Sequence, residues 1–242
     1  MLRRNAFCPI KGFAVLDQVL VPIHRAGWPF VVVFFVVAVV LGFLWEPLFW
    51  LGLLATAWCV YFFRDPPRVT PLRGGLLVAP ADGRVQWVGP AKPPPELGLG
   101  EEPLMRISIF LNVFDVHINR VPVDGKVTAL HYHHGKFLNA SLDKASEDNE
   151  RQSVRIETAD GASVGVVQIA GLVARRILCD LQDGQAVRAG ERFGLIRFGS
   201  RTDLFLPDGV APLVAVGQRA VGGETVLADL ASDEPERLGE ER

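Results

Sequence analysis

The sequence predicts a mainly β protein, a β-sandwich or distorted barrel, with an N-terminal hydrophobic helical hairpin. Three observations predict it: short β-rich runs between Asp-Gly turns, 24 Gly and 17 Pro without a repeat, and an uncharged apolar stretch near the N-terminus. The chain has 242 residues and a formal charge of −2. This length suits one domain with an appendage, and the charge lacks the basic excess of a dedicated nucleic-acid binder.

Most of the hydrophobicity lies in residues 28–63, which we predict to be a membrane hairpin. The runs 28–45 and 48–63 contain no charged residue, and each is at the short limit for a membrane-spanning helix. Glu46-Pro47 predicts the turn between them, because proline disfavours helix in the residue before it. A re-entrant or interfacial hairpin and a pair of buried core helices are the alternatives. The stretch is too long for a cleaved signal peptide.

Basic residues flank the hairpin on both sides, at Arg3, Arg4, Lys11 and Arg25 and at Arg64, Arg68 and Arg73. By the positive-inside rule, both flanks lie in the cytoplasm. We therefore predict a cytoplasmic N-terminal segment, residues 1–27, and a cell (inner) membrane location with the domain 64–231 on the cytoplasmic side. Residues 232–242 are charged and without periodicity, which predicts a disordered tail.

Eight runs in the β domain have strand character. They are Leu76–Val78, Arg84–Val88, Arg106–Leu111, Lys126–Tyr132, Ser153–Glu157, Ser163–Ala170, Glu191–Phe198 and Leu213–Val216. Turns are predicted at Asp82-Gly83, Asp124-Gly125, Asp160-Gly161, Asp183-Gly184 and Asp208-Gly209.

Several classes of site lack their motifs. The three cysteines, Cys8, Cys59 and Cys179, are scattered, which argues against a disulfide scaffold or a zinc site and fits a reducing compartment. The sequence has no dinucleotide-binding glycine loop, Walker loop, zincin helix or serine-hydrolase elbow. His131, His133 and His134 have no carboxylate or thiolate at zinc spacing, so we predict no metal.

Gly199-Ser200 is the unusual pair that remains. At the end of a strand, a glycine adopts conformations closed to bulkier residues, and its strained carbonyl is then open to attack by the neighbouring hydroxyl. Taken alone, Gly-Ser is also an ordinary turn dipeptide. Asp82 is a candidate catalytic carboxylate, although Asp-Gly is equally an ordinary hairpin turn.

The segment 193–207 resembles the processing site of the phosphatidylserine decarboxylase family, in its short, archaeal-type and bacterial form. Further segments resemble the family in order along residues 60–220. They are 63–68, 80–83, 110–120, 135–137, 149–151 and 168–177. A hydrophobic N-terminal segment is also usual in that family.

A second, shorter resemblance is to biotinyl and lipoyl carrier domains, in the turns 79–85 and 183–191. It implies a flattened carrier-like barrel. Because Asp143-Lys144-Ala145 resembles a lipoyl-lysine hairpin, a membrane-anchored carrier modified on Lys144 is one alternative function. A non-cleaving, lipid-binding relative of the decarboxylases is another.

The decarboxylase resemblance implies that Ser200 attacks the Gly199 carbonyl and that the chain cuts itself between residues 199 and 200. The cofactor would be a covalent pyruvoyl group derived from Ser200, which forms a Schiff base with the substrate. The implied reaction converts phosphatidylserine in the membrane to phosphatidylethanolamine and CO2. A long chain ending at Gly199 and a short chain starting at Ser200 would stay associated, and a homo-oligomer is an open alternative.

The resemblance also implies roles for Asp82 and His117. Asp82 matches the family aspartate of an Asp-His-Ser triad, and His117 matches the first histidine of a His-x-x-His pair. Arg120 stands where the long forms have the second histidine, so the base for self-cleavage stays open. We expect His117 and Asp82 to be catalytic with Ser200. Substrate-binding residues are unassigned, and Arg175, Arg176 and Arg201 are candidates for binding the substrate phosphate. Another lipid or an amino acid is an alternative substrate.

Overall fold

The computed structural model describes residues 21–135, 149–171, 176–197 and 199–240. The chain divides into two compact units, Met1–Pro67 and Arg68–Arg242. The first unit contains the apolar helices and the second contains all the strands described below.

From residue 21 onward, the N-terminal unit contains two α-helices: α1 (Trp28–Gly42), which follows a 3-10 turn at Arg25–Gly27, and α2 (Glu46–Phe62). The predicted turn at Glu46-Pro47 is wrong, since these two residues begin α2. A proline is tolerated in the first turn of a helix because no intrahelical bond needs its missing N–H. Residues 43–45 make the turn instead.

The two helices approach closely at small residues. A Cβ built on Gly52 would lie only 2.4 Å from the Cβ of Ala38, which is itself fully buried. Small residues at such a crossing are typical of helix pairs in membranes. Glycine at position 52 therefore permits the tight pairing of α1 with α2.

The surface of α1 is apolar on every side, and among its described side chains only Ala38 is buried. Its exposed large side chains are Trp28, Val32, Val33, Phe34, Phe35, Val36, Val37 and Val40. Arg25–Gly42 is long and apolar enough to cross a membrane, whereas Glu46–Phe62 is a shorter apolar helix. This exposure disfavours the alternative of buried core helices, since an apolar helix in water would cover its surface.

The described residues of the second unit form thirteen strands. They are β1 (Leu76–Val78), β2 (Gly83–Ala91), β3 (Leu104–Leu111), β4 (Ile118–Arg120), β5 (Gly125–His133), β6 (Arg151–Glu157), β7 (Ser163–Ala170), β8 (Ile177–Cys179), β9 (Ala186–Val187), β10 (Arg192–Ile196), β11 (Ser200–Phe205), β12 (Arg219–Ala220) and β13 (Val226–Asp229).

Eight of these strands form one curled sheet in the order β12-β2-β3-β11-β7-β6-β5-β9. A three-stranded sheet, β4-β10-β8, and the pair β1-β13 complete the unit. Apolar residues at alternate positions of the large sheet meet inside the curl, for example Ile107, Ile109, Val166 and Leu204. The mainly β fold class and the apolar N-terminal helices are thus confirmed.

Two strand predictions differ from the structure. No strand forms at Leu213–Val216, where the backbone turns instead: the side-chain oxygen of Gln218 accepts from Ala215 N at 3.0 Å. Conversely, Ser200–Phe205 was expected to follow a strand and is itself β11, near the centre of the large sheet. Every residue of β11 is buried, so it lacks the alternation by which a half-exposed strand is recognised.

Candidate active site

The Gly199–Ser200 bond joins two sheets. The strand β10 ends at Ile196 in the three-stranded sheet, and β11 begins at Ser200 in the large one. Gly199 has a φ of 67°, in the left-handed region. A Cβ at this position would meet no atom of the described residues within 4 Å, so the backbone conformation is what favours glycine there.

Ser200 is fully buried between Leu111 of β3 and Ala170 of β7, its register partners. Its Oγ has no hydrogen-bond partner among the described residues. Burying a hydroxyl without a partner costs about 1–3 kcal/mol, so the orphaned Ser200 hydroxyl calls for an explanation. The structure thus places a buried serine hydroxyl, without a partner among the described residues, directly after a glycine in the left-handed region.

Replacing Gly199 with alanine tests the conformation of this bond. Alanine in the left-handed region costs about 1–2 kcal/mol, so we expect the backbone to relax and any reaction of the bond to slow by about tenfold. The measurement is the rate of chain cleavage after synthesis in a cell-free system. Gly209→Ala is the matched control, because Gly209 has a φ of 76° and equally open space in an exposed turn. Equal cleavage rates for Gly199→Ala and wild type would contradict a role for the left-handed Gly199 conformation in cleavage.

His117 is fully buried immediately before β4. Its Nδ1 lies 3.0 Å from the backbone oxygen of Asp115. A carbonyl oxygen only accepts, so Nδ1 carries the hydrogen and Nε2 has the lone pair of a base. The backbone oxygen of His117 also accepts from Ile196 N at 3.3 Å, which ties the histidine to the end of the strand that leads to Gly199.

Asp82 lies at the start of β2 and is largely buried. Its Oδ1 accepts from Gly222 N at 2.7 Å, and its Oδ2 pairs with Arg68 Nη2 at 2.6 Å. The preceding loop is bonded to β4, since Pro80 O accepts from Arg120 N at 2.9 Å. The structure therefore brings the Asp82 loop to the strand that follows His117, and the catalytic role of Asp82 stays a prediction.

Arg120, at the position of the second family histidine, is buried and makes structural contacts. Its Nη1 donates to Gly190 O at 2.8 Å. A guanidinium stays protonated at any physiological pH and cannot take up a proton. Arg120 thus does not serve as a base, which leaves His117 as the buried imidazole of this segment.

Two polar residues of the same segment were missed by the sequence reasoning. Asp115 is buried, and its Oδ2 accepts from Asn112 N at 2.9 Å while Oδ1 pairs with Arg219. Asn119 is fully buried and bonds to distant side chains. The sequence signal that could have identified them is the alternation of Asp115, His117 and Asn119 with apolar residues.

The end of β7 beside Ser200 is fixed by the segment Asn149–Glu150. Asn149 Nδ2 donates to Ala170 O at 2.8 Å, and Ala170 N donates to Glu150 O at 3.0 Å. The Tyr132 hydroxyl donates to the Glu150 carboxylate. Burial, together with that carboxylate, raises the pKa of Tyr132 to about 12, so the phenol is a donor and not a base at neutral pH.

Of the phosphate candidates, Arg176 lies near the cleavage junction and Arg201 does not face it. Arg197 N donates to Arg176 O at 3.4 Å, two residues before Gly199. Burial, together with the like charge of Arg176, lowers the pKa of Arg197. Arg201 is on the opposite face of β11 from Ser200 and pairs with Asp203 at 2.9 Å.

Some predicted features lie outside the described residues, namely Lys144, Arg175 and residues 136–137, 172–175 and 198 of the segments that resemble the family. Within the described parts of the chain, no group of three His, Cys, Asp or Glu side chains is placed to hold a metal.

Comparison with known proteins matches this arrangement to one family. The family model for phosphatidylserine decarboxylase matches residues 55–228. A phosphatidylserine decarboxylase proenzyme of Paramagnetospirillum magneticum is 65% identical over 221 residues, covering 91% of this chain and 92% of the relative. A protein of the same name from Cereibacter sphaeroides is 58% identical over 228 residues, covering 94% and 98%. The chain therefore belongs to the phosphatidylserine decarboxylase family.

Proposed function

We propose that this chain is a pro-enzyme that cuts itself at Gly199–Ser200 and then decarboxylates phosphatidylserine with a pyruvoyl group derived from Ser200. The chain is a decarboxylase by family, and both relatives above are named proenzymes. The observation that supports the site most strongly is the buried Ser200 hydroxyl, which has no hydrogen-bond partner among the described residues and follows a left-handed Gly199.

Self-cleavage begins when Ser200 Oγ attacks the Gly199 carbonyl carbon. The C–N bond breaks, the amine takes a proton, and an ester replaces the amide. A base then removes the Ser200 α-proton, and the Cβ–O bond breaks to release the Gly199 carboxylate. Water hydrolyses the dehydroalanine left at residue 200, which loses ammonia and becomes the pyruvoyl terminus.

His117 supplies the base that these steps require. The Asp115 carbonyl holds its Nδ1 hydrogen, so Nε2 is the atom that takes up a proton. The bond from Ile196 N to the His117 backbone oxygen holds the main chain of the histidine beside the strand that leads to the proposed scissile bond. Asp82 is held near this segment through both of its oxygens, by Gly222 N and by Arg68 Nη2.

The residues around Ser200 fit a pyruvoyl group. Such a group supplies a ketone that condenses with an amine and accepts the electron pair left when CO2 departs. Leu111 and Ala170 flank Ser200 and are fully buried, so they give residue 200 apolar neighbours on both adjacent strands. Ser200 makes no hydrogen bond to a described residue that its conversion would break.

The substrate headgroup carries a phosphate that needs cationic partners. Arg176 and Arg197 are neighbours in the fold, and Arg197 lies two residues before Gly199. We propose that these two arginines bind the phosphate, because guanidinium groups match phosphate geometry. Protonation of the former α-carbon by a residue at the site would then give phosphatidylethanolamine.

We further propose that the N-terminal helices hold the domain at the inner membrane, with the catalytic unit on its cytoplasmic side. The support is one helix, Arg25–Gly42, that is long and apolar enough to cross a bilayer, with basic residues on both flanks of the hairpin. A two-chain lipid already resides in that membrane. Attachment therefore spares the substrate from leaving the bilayer.

Charges placed on α1 test this attachment. Val36 and Val40 are exposed on the helix, and each lysine there costs about 2.5–3.5 kcal/mol in hydrocarbon. We expect Val36→Lys/Val40→Lys to move the chain from the carbonate-washed membrane pellet to the supernatant. Phe43→Lys, in the turn after α1, is the control and should stay in the pellet. A double variant that pellets like wild type would argue against burial of α1 in lipid.

The activity itself is tested by CO2 release from phosphatidylserine vesicles by the purified protein, with and without prior borohydride. We expect release that borohydride abolishes, because reduction removes the ketone. Release that survives borohydride would contradict the pyruvoyl group. An intact, inactive chain would favour the non-cleaving relative, and an intact chain with added mass on Lys144 would favour the carrier.

A further inference from the structure

A pair of buried amides lies beside Ser200. Gln168 Nε2 donates to Asn119 Oδ1 at 2.8 Å, and Asn119 Nδ2 lies 3.3 Å from Thr202 Oγ1. All three side chains are fully buried. Buried polar groups are costly unless they are bonded, so a connected set of this kind holds its members in defined positions.

Asn119 connects the segments of the other two predicted catalytic residues. It follows His117 by two positions and belongs to the strand β4. Its Nδ2 also lies 3.4 Å from the backbone oxygen of Pro80, in the loop that leads to Asp82. The Asn119 side chain therefore contacts the Asp82 loop, and the Asn119 backbone lies two residues after His117.

Thr202 connects the same amide to the strand of the nucleophile. Because alternate residues of a strand share a face, Thr202 is the next residue after Ser200 on the inner face of β11. On the neighbouring strand β7, Gln168 is opposite Thr202 and Ala170 is opposite Ser200. The two amides thus hold β11 at Thr202, one residue pair along the strand from the Ser200 hydroxyl.

Gly194 lies against the Gln168 amide, and its lack of a side chain gives the amide the space it occupies. A Cβ there would lie 2.2 Å from Leu178 O and 3.0 Å from Gln168 Nε2. Glycine is therefore required by the close approach of the Gln168 amide and of the neighbouring strand. Gln168 Nε2 also lies 3.4 Å from Leu178 O, so the amide is placed from two sides.

We propose that Asn119 is a positioning residue for self-cleavage, holding the Ser200 strand against the segments of His117 and Asp82 through its bonds to Thr202 and Pro80. The inference rests on the proposed self-cleavage. Attack on the Gly199 carbonyl requires near-contact geometry, and a displacement of about 1 Å can slow such a step by about a hundredfold. Loss of one of these bonds should therefore act on the cleavage rate.

The test compares two substitutions of Thr202 by following chain cleavage after pulse-labelled cell-free synthesis. Thr202→Val keeps the shape and removes the hydroxyl, and we expect cleavage to slow by about tenfold. Thr202→Ser keeps the hydroxyl and removes a buried methyl, and we expect a rate near wild type. Thermal unfolding of both variants separates positioning from stability: cleavage should slow with loss of the hydroxyl, whereas a purely structural role predicts that slowing follows the loss of stability in both variants.

Asn119→Leu and Ser108→Ala complete the set. Asn119→Leu should cleave at least as slowly as Thr202→Val, with thermal unfolding measured to show that it folds. Ser108→Ala removes a buried hydroxyl on the outer face of the same sheet and should cleave like wild type. Wild-type cleavage by Thr202→Val, or equal slowing by Thr202→Ser, would overturn the positioning role alone. A wild-type chain that never cleaves would overturn the self-cleavage and the positioning role together.

Discussion

Ser200→Ala is expected to leave one uncut chain without decarboxylase activity. Alanine lacks the oxygen that attacks the Gly199 carbonyl in the proposed mechanism, and the proposed ketone would derive from that same residue. Covalent catalysis is then lost completely, and the residual CO2 release should equal the background rate. Denaturing gel electrophoresis and CO2 release from phosphatidylserine vesicles measure the two effects.

Ser108→Ala is the matched control for this variant. Ser108 is buried in β3, and its Oγ likewise has no hydrogen-bond partner among the described residues. It faces away from the interior that holds Ser200. A Ser200→Ala chain that is cut normally would refute the assignment of the nucleophile.

His117→Ala is expected to have the second-largest effect. Removal of a general base slows a step by about 10²–10⁴-fold, so cleavage should be strongly delayed. In the fraction that does cleave, CO2 release should fall by a similar factor, if the same Nε2 moves the proton in the second reaction. Time courses of cleavage and of CO2 release on the same preparation separate the two steps.

His131→Ala is the control for the histidine, since His131 is exposed on β5. It should match wild type in both measurements. A His117→Ala chain that cleaves normally but releases no CO2 would restrict His117 to decarboxylation. Normal rates in both reactions would contradict any catalytic role for His117.

The proposed cleavage bond could be singled out from the sequence because its signal is local. Gly199 and Ser200 are neighbours within a distinctive segment; in the structure Gly199 has a left-handed φ and Ser200 is buried, and cleavage between them stays a prediction. The strand β11 was not predicted, although it begins at Ser200. Arg201 and Asp203 pair with each other inside the protein, so β11 lacks the continuous apolar run by which a buried strand is recognised.

The contacts that surround the reactive bond could not be predicted. Asn119 and Gln168 are 49 residues apart and meet only because β4 and β7 converge in the folded unit. The pairing of Asp82 with Arg68 likewise depends on tertiary structure. The turn of the hairpin was misplaced for a different reason, since a proline both ends one helix and starts the next.

The most direct test is the intact mass of the purified protein before and after borohydride treatment. We predict two chains separated at Gly199–Ser200, the smaller beginning with a pyruvoyl group that gains two hydrogen atoms on reduction. A single chain of unmodified mass would contradict self-cleavage. A smaller chain that begins with an unmodified serine would contradict conversion of Ser200 to the cofactor.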